Sequence, residues 1–426
     1  MHFISITIVV AVSIAAILSA LTKPGGCLRF PFLCGALYLI WVAPQLYAVS
    51  VDNNVPDGGV FWLNVTVVLC LAATLIGWSV GLKQPVAPKS PSYRTRTGTV
   101  SDEKRLLSAA FVLSGFMLLL HLLIAVQPIE DRELTQWSGP LTIIVFFLIL
   151  SSMSLFLSLL LAFKLRTLGS YLVAGVNIFL CGTSAFVAVR RGVIADFAIA
   201  TVGALWFGLH KRVAVVFLVA GVLVFGAVTY AIVPLRIAAK EVAERTGDTS
   251  GLLSIDVWQQ VDFGAEIANA LEKPPDFANA VHLIDFANRY EFTWGRQSWD
   301  AFVFQWVPAQ ILGAGFKNDL MFKQGVDYSR IEQEYGYSTT GGTTATGFGF
   351  AYQEFGPFGF IYFLAIGVIM GRLWTRGSSG DVWAQALYVS FAGGSLLSVT
   401  HHAMWLLVQI PLFLLGIAVF RRIAKV

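Results

Sequence analysis

Long apolar runs separated by short polar stretches make up most of this chain. Eleven runs, at 3–21, 30–49, 60–82, 106–126, 140–163, 168–189, 193–209, 213–233, 347–374, 382–400 and 404–420, have the length that a transmembrane helix needs. A hydrocarbon core of about 30 Å takes roughly 17–25 helical residues. Helix is the predicted form throughout, because lipid cannot satisfy the open backbone groups of other structures. The first run lacks a basic leading stretch and a small-residue cleavage motif, so it is read as the first span.

One hydrophilic stretch, 235–345, interrupts the pattern. Ser254 predicts the cap of a helix running to about Lys273, with Val257, Val261 and Leu271 on one apolar stripe. Pro274 and Pro275 stop it, and a second amphipathic stretch follows at 277–290. An aromatic-rich passage then runs to Trp306, and a Thr/Gly tract extends from Ser338 to Gly349. The expected fold class is an all-α polytopic integral membrane protein. Eight spans occupy 1–234, a large, mainly helical loop 235–345, and three spans 346–426.

Composition sharpens this reading. The chain is 56% hydrophobic and 13% charged, roughly half the charge of a soluble domain. That is too little to coat two or three soluble domains. With 4 Cys and a net charge of +4, neither a disulfide scaffold nor a nucleic-acid binder is expected. Cys27, Cys34, Cys70 and Cys181 all lie in or beside apolar runs and are expected as buried thiols.

Charge also sets an orientation. The 235–345 segment holds nine Lys/Arg and fifteen Asp/Glu, which leaves twenty basic and ten acidic residues elsewhere. Seventeen of those twenty basic residues fall in one alternating set of loops. The positive-inside rule puts those loops in the cytoplasm. The N-terminus and 235–345 are then expected outside, and the C-terminus inside.

Arg190 and Arg191 break that pattern, standing at the outer end of the sixth span. A guanidinium at a membrane interface is costly to leave unpaired, and its planar fork suits phosphate oxygens. One reading is a clamp for a lipid-linked phosphate or pyrophosphate. The other is that Arg191 pairs with Asp196 or snorkels to headgroups. In the external segment, the run from Tyr290 to Trp299 mixes aromatic plates with carboxylate, amide and guanidinium groups, as sugar rings require. Trp294, Trp299 and Trp306 would equally serve as a segment core or as interface anchors. Glu354 lies inside the ninth run, and an intramembrane acid is by default a candidate for function. His401 and His402 end the tenth span on the outer side and are candidate bases or interface anchors. The Thr/Gly tract can cradle anionic oxygens or simply lead into the ninth span. No spaced His/Cys/Asp cluster suggests a metal site.

Two passages carry a family resemblance. From Arg289 the chain reads RYEFTWGRQSWDAFVFQWVPAQILGAGFK, and Phe292, Trp294, Gly295, Pro308 and Lys317 match a passage of bacterial oligosaccharide repeat-unit polymerases. The run from Gly349 to Gly359 resembles the same family's Gly-acid-x-Tyr-x-Asn-Phe-Gly-x-x-Gly, and Arg191-Gly192 its Arg-Gly at the outer end of a span. The chain thus resembles the O-antigen and exopolysaccharide polymerases of the Wzy type. Three positions depart: Phe350 stands where an acid is frequent, Glu354 where Asn is common, and Ala309 where Arg is frequent. No catalytic acid is therefore carried over by position.

The resemblance implies a GT-C-like glycosyltransferase in the bacterial inner membrane, acting at the periplasmic face. Donor and acceptor would both be undecaprenyl-pyrophosphate-linked oligosaccharides, with membrane lipids and a polysaccharide chain-length regulator as candidate partners. No cofactor, nucleotide or nucleic acid is implied. Arg190, Arg191, Lys317 and Arg296 are the expected pyrophosphate ligands, and Trp294, Trp299 and Tyr352 the expected sugar contacts. The base is expected among His401, His402 and Glu354. An O-antigen ligase passing the glycan to lipid A–core, and a non-catalytic flippase or transporter, are the alternatives.

Overall fold

The structure is a computed structural model that describes residues 2–83, 100–126, 142–187, 191–210, 234–235, 237–242, 244–246, 253–272, 274–323, 328–339 and 343–424. Helix is the only regular structure among the described residues. Ten helical stretches there are long and apolar enough to cross a membrane, so the protein is a polytopic membrane protein. They match ten of the eleven expected runs. The remaining run, 213–233, lies outside the described residues.

The spans begin with α1 (His2–Leu21), α2 (Phe30–Val51), α3 (Asp57–Lys83), α4 (Val100–Ala125), α5 (Ile143–Leu165), α6 (Leu168–Gly182) and α7 (Arg191–Leu209). Among the shorter helices that follow are α8 (Ile255–Gln259), α9 (Phe263–Glu272), α10 (Pro275–Arg289), α11 (Arg296–Trp306), α12 (Ala309–Leu312), α13 (Ala314–Leu320), α14 (Tyr328–Tyr335) and α15 (Thr346–Phe355). The chain ends on α16 (Ile361–Ser378), α17 (Val382–Thr400) and α18 (Trp405–Ala424).

Two expectations change here. The helix expected from Ser254 to Lys273 is two helices, α8 and α9, and the Ser254 side chain makes no capping bond. Asp262 starts the second one instead, its carboxylate accepting the Ala265 N–H at 3.1 Å. The ninth run is likewise divided. α15 ends at Gly356, whose φ of +57° with ψ of −138° suits glycine alone. A short 3-10 turn leads into α16, which at 18 residues is about 27 Å long and can span by itself.

The chain divides into two compact units. One comprises Met1–Lys83, Ala214–Arg372 and Gly394–Val408. Its core joins apolar spans to the helices of the hydrophilic segment. Trp41 of α2 meets Phe277 of α10 at 5.4 Å between ring centroids, and Tyr38 meets Phe348 of α15 at 5.8 Å. Helices α10 and α15 therefore rest against α2 and α3 rather than standing free.

Two glycine pairs at four-residue spacing bring α3 and α16 into backbone contact. A Cβ at Gly77 would lie 2.3 Å from the Leu364 carbonyl oxygen, and one at Gly81 2.4 Å from that of Val368. Reciprocally, a Cβ at Gly367 would lie 2.3 Å from the Thr74 oxygen, and one at Gly371 2.5 Å from that of Trp78. Lipid gives packed helices no hydrophobic drive, so such close small-residue contact is a main source of association.

The other unit comprises Gln84–Val213, Leu373–Gly393 and Gln409–Val426. A buried polar triad ties three of its spans. Ser154 donates to Asn177 Oδ1 at 2.7 Å, and Asn177 Nδ2 donates to Ser114 Oγ at 2.6 Å.

Gly77→Ala and Gly367→Ala are each expected to lower the apparent melting temperature of the detergent-purified protein, with a destabilisation of about 1–3 kcal/mol typical of overpacking. Gly115→Ala, where nothing lies within 4 Å of the added carbon, is expected to leave it unchanged or higher. Equal melting temperatures for all three variants would contradict the close contact.

Candidate functional site

The two passages singled out by sequence close on each other. The last turn of a helix leaves carbonyls unpaired, and its first turn leaves N–H groups unpaired. At the end of α15, the Gln353 carbonyl accepts the Thr293 N–H and the Glu354 carbonyl accepts the Trp294 N–H, both at 2.9 Å. In return, Glu354 Oε1 accepts the Ser298 N–H at 2.7 Å in the first turn of α11. The residue in the cap position of α11 is Gly295, which has no side chain to do this. A carboxylate from 56 residues further along the chain therefore caps the helix, where negative charge is favoured.

The geometry is held tightly. Trp294 and Gly295 both have positive φ, 50° and 83°, and for a bulky aromatic that conformation is strained. The strain leaves the Trp294 ring 63% exposed, beside Phe292 and Phe355. Ser298 Oγ and Tyr362 Oη are 2.7 Å apart, and the Tyr352 hydroxyl donates to Asn288 Oδ1 at 2.8 Å. Buried side-chain oxygens without a hydrogen-bond partner among the described residues include Gln297 Oε1, Gln353 Oε1 and Glu354 Oε2. Buried acceptors are nearly always paired, so each one left open calls for an explanation.

The structure therefore groups Trp294, Tyr352 and Glu354. The other described site residues are placed as follows. Arg296 is exposed on the first turn of α11. Trp299 Nε1 donates to the Leu320 carbonyl at 2.9 Å. The Lys317 ammonium donates to the Phe304 carbonyl at 2.8 Å and lies over the Phe304 ring, and burial lowers its pKa. It is engaged within its own surface rather than facing the Glu354 cluster. Arg190 lies outside the described residues, and Arg191 is the first residue of α7. Asp196, on the same helix, fits against Gly393, where a Cβ would overlap its Oδ1.

The two histidines end differently. His401 Nδ1 lies 2.8 Å from the Thr400 hydroxyl. His402 Nδ1 accepts the Met404 N–H at 3.1 Å, which puts the proton of the neutral ring on Nε2. Its ring rests 4.4 Å from that of Phe350, and burial pushes its pKa down to about 4. The described end of the Thr/Gly tract is a structural tie. The Thr344 N–H donates to Asp276, its hydroxyl donates to the Thr400 carbonyl, and Asn279 donates to Thr343 Oγ1. Residues 340–342 lie outside the described set.

Sequence reasoning missed a polar stripe on α10. Asp276, Asn279, His282 and Asp285 recur at every third position and are all buried. His282 stacks on Tyr337 at 3.9 Å and donates from Nδ1 to the Ala278 carbonyl. Asp285 holds both Arg289 and the Tyr335 hydroxyl at 2.8 Å. The three-residue period was present in the chain, beneath the apolar stripe that marked the helix as amphipathic. Among the described residues no three His, Cys, Asp or Glu side chains gather as a metal site.

Comparison with protein-family models, curated proteins and solved structures finds no match to this chain.

The unfolded chain takes a proton on His402 near the ordinary value of 6.5, whereas the folded chain resists until about 4. Stability is therefore expected to fall as pH drops through that window and to be fully present above it. His282, also held low by burial, acts in the same direction. A melting series from pH 8 to pH 4 should show this decline, with a shallower slope in His402→Gln. An unchanged slope would remove His402 as a contributor.

Proposed function

We propose that this protein is a glycosyltransferase that joins lipid-pyrophosphate-linked oligosaccharide units into a polysaccharide. In this reading it works at the periplasmic face of a bacterial inner membrane, where the 235–345 segment lies. The observation that carries the reading is the mutual capping of the two resembling passages, which brings Trp294 and Glu354 together at the end of α15. An exposed aromatic such as Trp294 suits the apolar ring face of a sugar, and a carboxylate its donating hydroxyls.

In the proposed reaction, the acceptor sugar hydroxyl attacks the anomeric carbon of the growing chain. A carbon–oxygen bond forms there as the bond to the lipid pyrophosphate breaks. Glu354 takes the hydroxyl proton. Its Oε2 has no hydrogen-bond partner among the described residues, while His402 Nδ1 is occupied by a backbone N–H. The departing pyrophosphate carries the negative charge, which fixed cations stabilise. Arg296, in the turn that Glu354 caps, is the proposed cation beside Glu354, and Lys317 is a weaker candidate because a carbonyl holds its ammonium; Arg190 and Arg191 are separately proposed to bind lipid pyrophosphate.

A defined lipid-linked repeat unit, incubated with purified protein and no nucleotide, is expected to give a ladder of longer products. Glu354→Gln keeps an acceptor for the Ser298 N–H. It should therefore melt near the wild type while losing about 10²-fold or more of the elongation rate. Arg191→Ala should abolish the ladder. Full activity in Glu354→Gln would reduce that residue to a helix cap, and transfer only to lipid A–core would replace the polymerase reading with a ligase.

A further inference from the structure

The apolar face shared by α11, α12 and α13 carries side chains that the chemistry above does not use. Neither α12 nor α13 buries a single residue. They pack on each other and, through α13, on α11. What they expose is apolar: Ile311 is 72% exposed, Leu312 and Phe316 each 52%, and Phe322, just beyond, 58%. On α11, Trp299, Phe302 and Trp306 stack in sequence along one face, at 6.1 and 6.2 Å between centroids. An apolar patch of this kind marks an interaction site.

One hydrogen bond fixes the level of this patch against the membrane. Trp306 Nε1 donates to the Val408 carbonyl at 2.8 Å. Val408 is the fourth residue of α18, a 20-residue apolar helix able to cross a bilayer, and so lies about 4.5 Å along the axis from its first residue. Near the end of a span the chain meets the bilayer interface, where Trp is enriched because its ring is apolar and its N–H is not. Chain continuity holds α12 close to this level, since Ala309 follows Trp306 by three residues.

We infer that α12 and α13, with the Trp299, Phe302 and Trp306 stripe, form an element lying in the plane of the bilayer interface. Its apolar side chains enter the leaflet nearest the turn between α17 and α18. The occupant of the face is lipid, because the element is hydrogen-bonded to the end of a span already in that lipid. Such in-plane elements bury an apolar face at the boundary of headgroups and acyl chains.

Hydroxyl-radical footprinting tests this on the wild-type chain in phosphatidylethanolamine/phosphatidylglycerol nanodiscs holding one copy each, with every residue normalised to the unfolded chain. Ile311, Phe316 and Phe322 are expected to lose modification. Tyr290 and Tyr328, only 44% and 37% exposed, should be modified readily. Modification of the three apolar residues to the same extent as the two tyrosines would overturn the inference. So would protection that appears only in discs holding two copies, because a second chain would then cover the face.

Discussion

The backbone contact between α3 and α16 is the constraint on which the first unit depends. At Gly77, Gly81, Gly367 and Gly371 the carbonyl oxygens of one helix reach the α-carbons of the other. Contacts this short need no side chain between the helices, and weak Cα–H donors meet carbonyl oxygens across them. The same span, α3, carries Gly59 near its other end, where a Cβ would come within 2.3 Å of the Val281 carbonyl on α10. One helix thus holds α16 by its lower half and α10 by its upper turn. Helix α15, joined to α16 through the Gly356 turn and packed on α10, has little freedom left.

That rigidity makes the mutual capping possible. A carboxylate reaches the first turn of α11 only if α15 arrives at a set height and angle. The exchange leaves one Glu354 oxygen committed to the cap and the other open. Strain at Trp294 is tolerated because backbone hydrogen bonds from Thr293 and Trp294 to α15 fix the segment there. Local cost and long-range support sit in the same few residues, as in a site whose geometry is set in advance.

The membrane architecture was legible because apolar run length is a strong signal, and ten of the expected spans are present as helices. The glycine pairs Gly77/Gly81 and Gly367/Gly371 were also on the page as small-x-x-x-small patterns, although hydropathy alone passes over them. What sequence could not show was pairing at a distance. Nothing near Glu354 in the chain reveals that it caps a helix beginning at Arg296. Nor does anything local reveal that Lys317 is held by the Phe304 carbonyl. The Ser254 helix failed for a related reason. Its apolar stripe is real, but Asp262 offers a second cap in the middle, and the chain breaks there.

The central claim is that the converged passages form one reaction centre that uses a lipid pyrophosphate as the leaving group. The most direct measurement counts released polyprenyl pyrophosphate against glycosidic bonds formed, using a lipid-labelled repeat unit and the purified protein. The account predicts one lipid pyrophosphate freed for each linkage, with no release when the acceptor hydroxyl is blocked. Linkages formed without lipid release, or lipid released at the same rate without an acceptor, would contradict it.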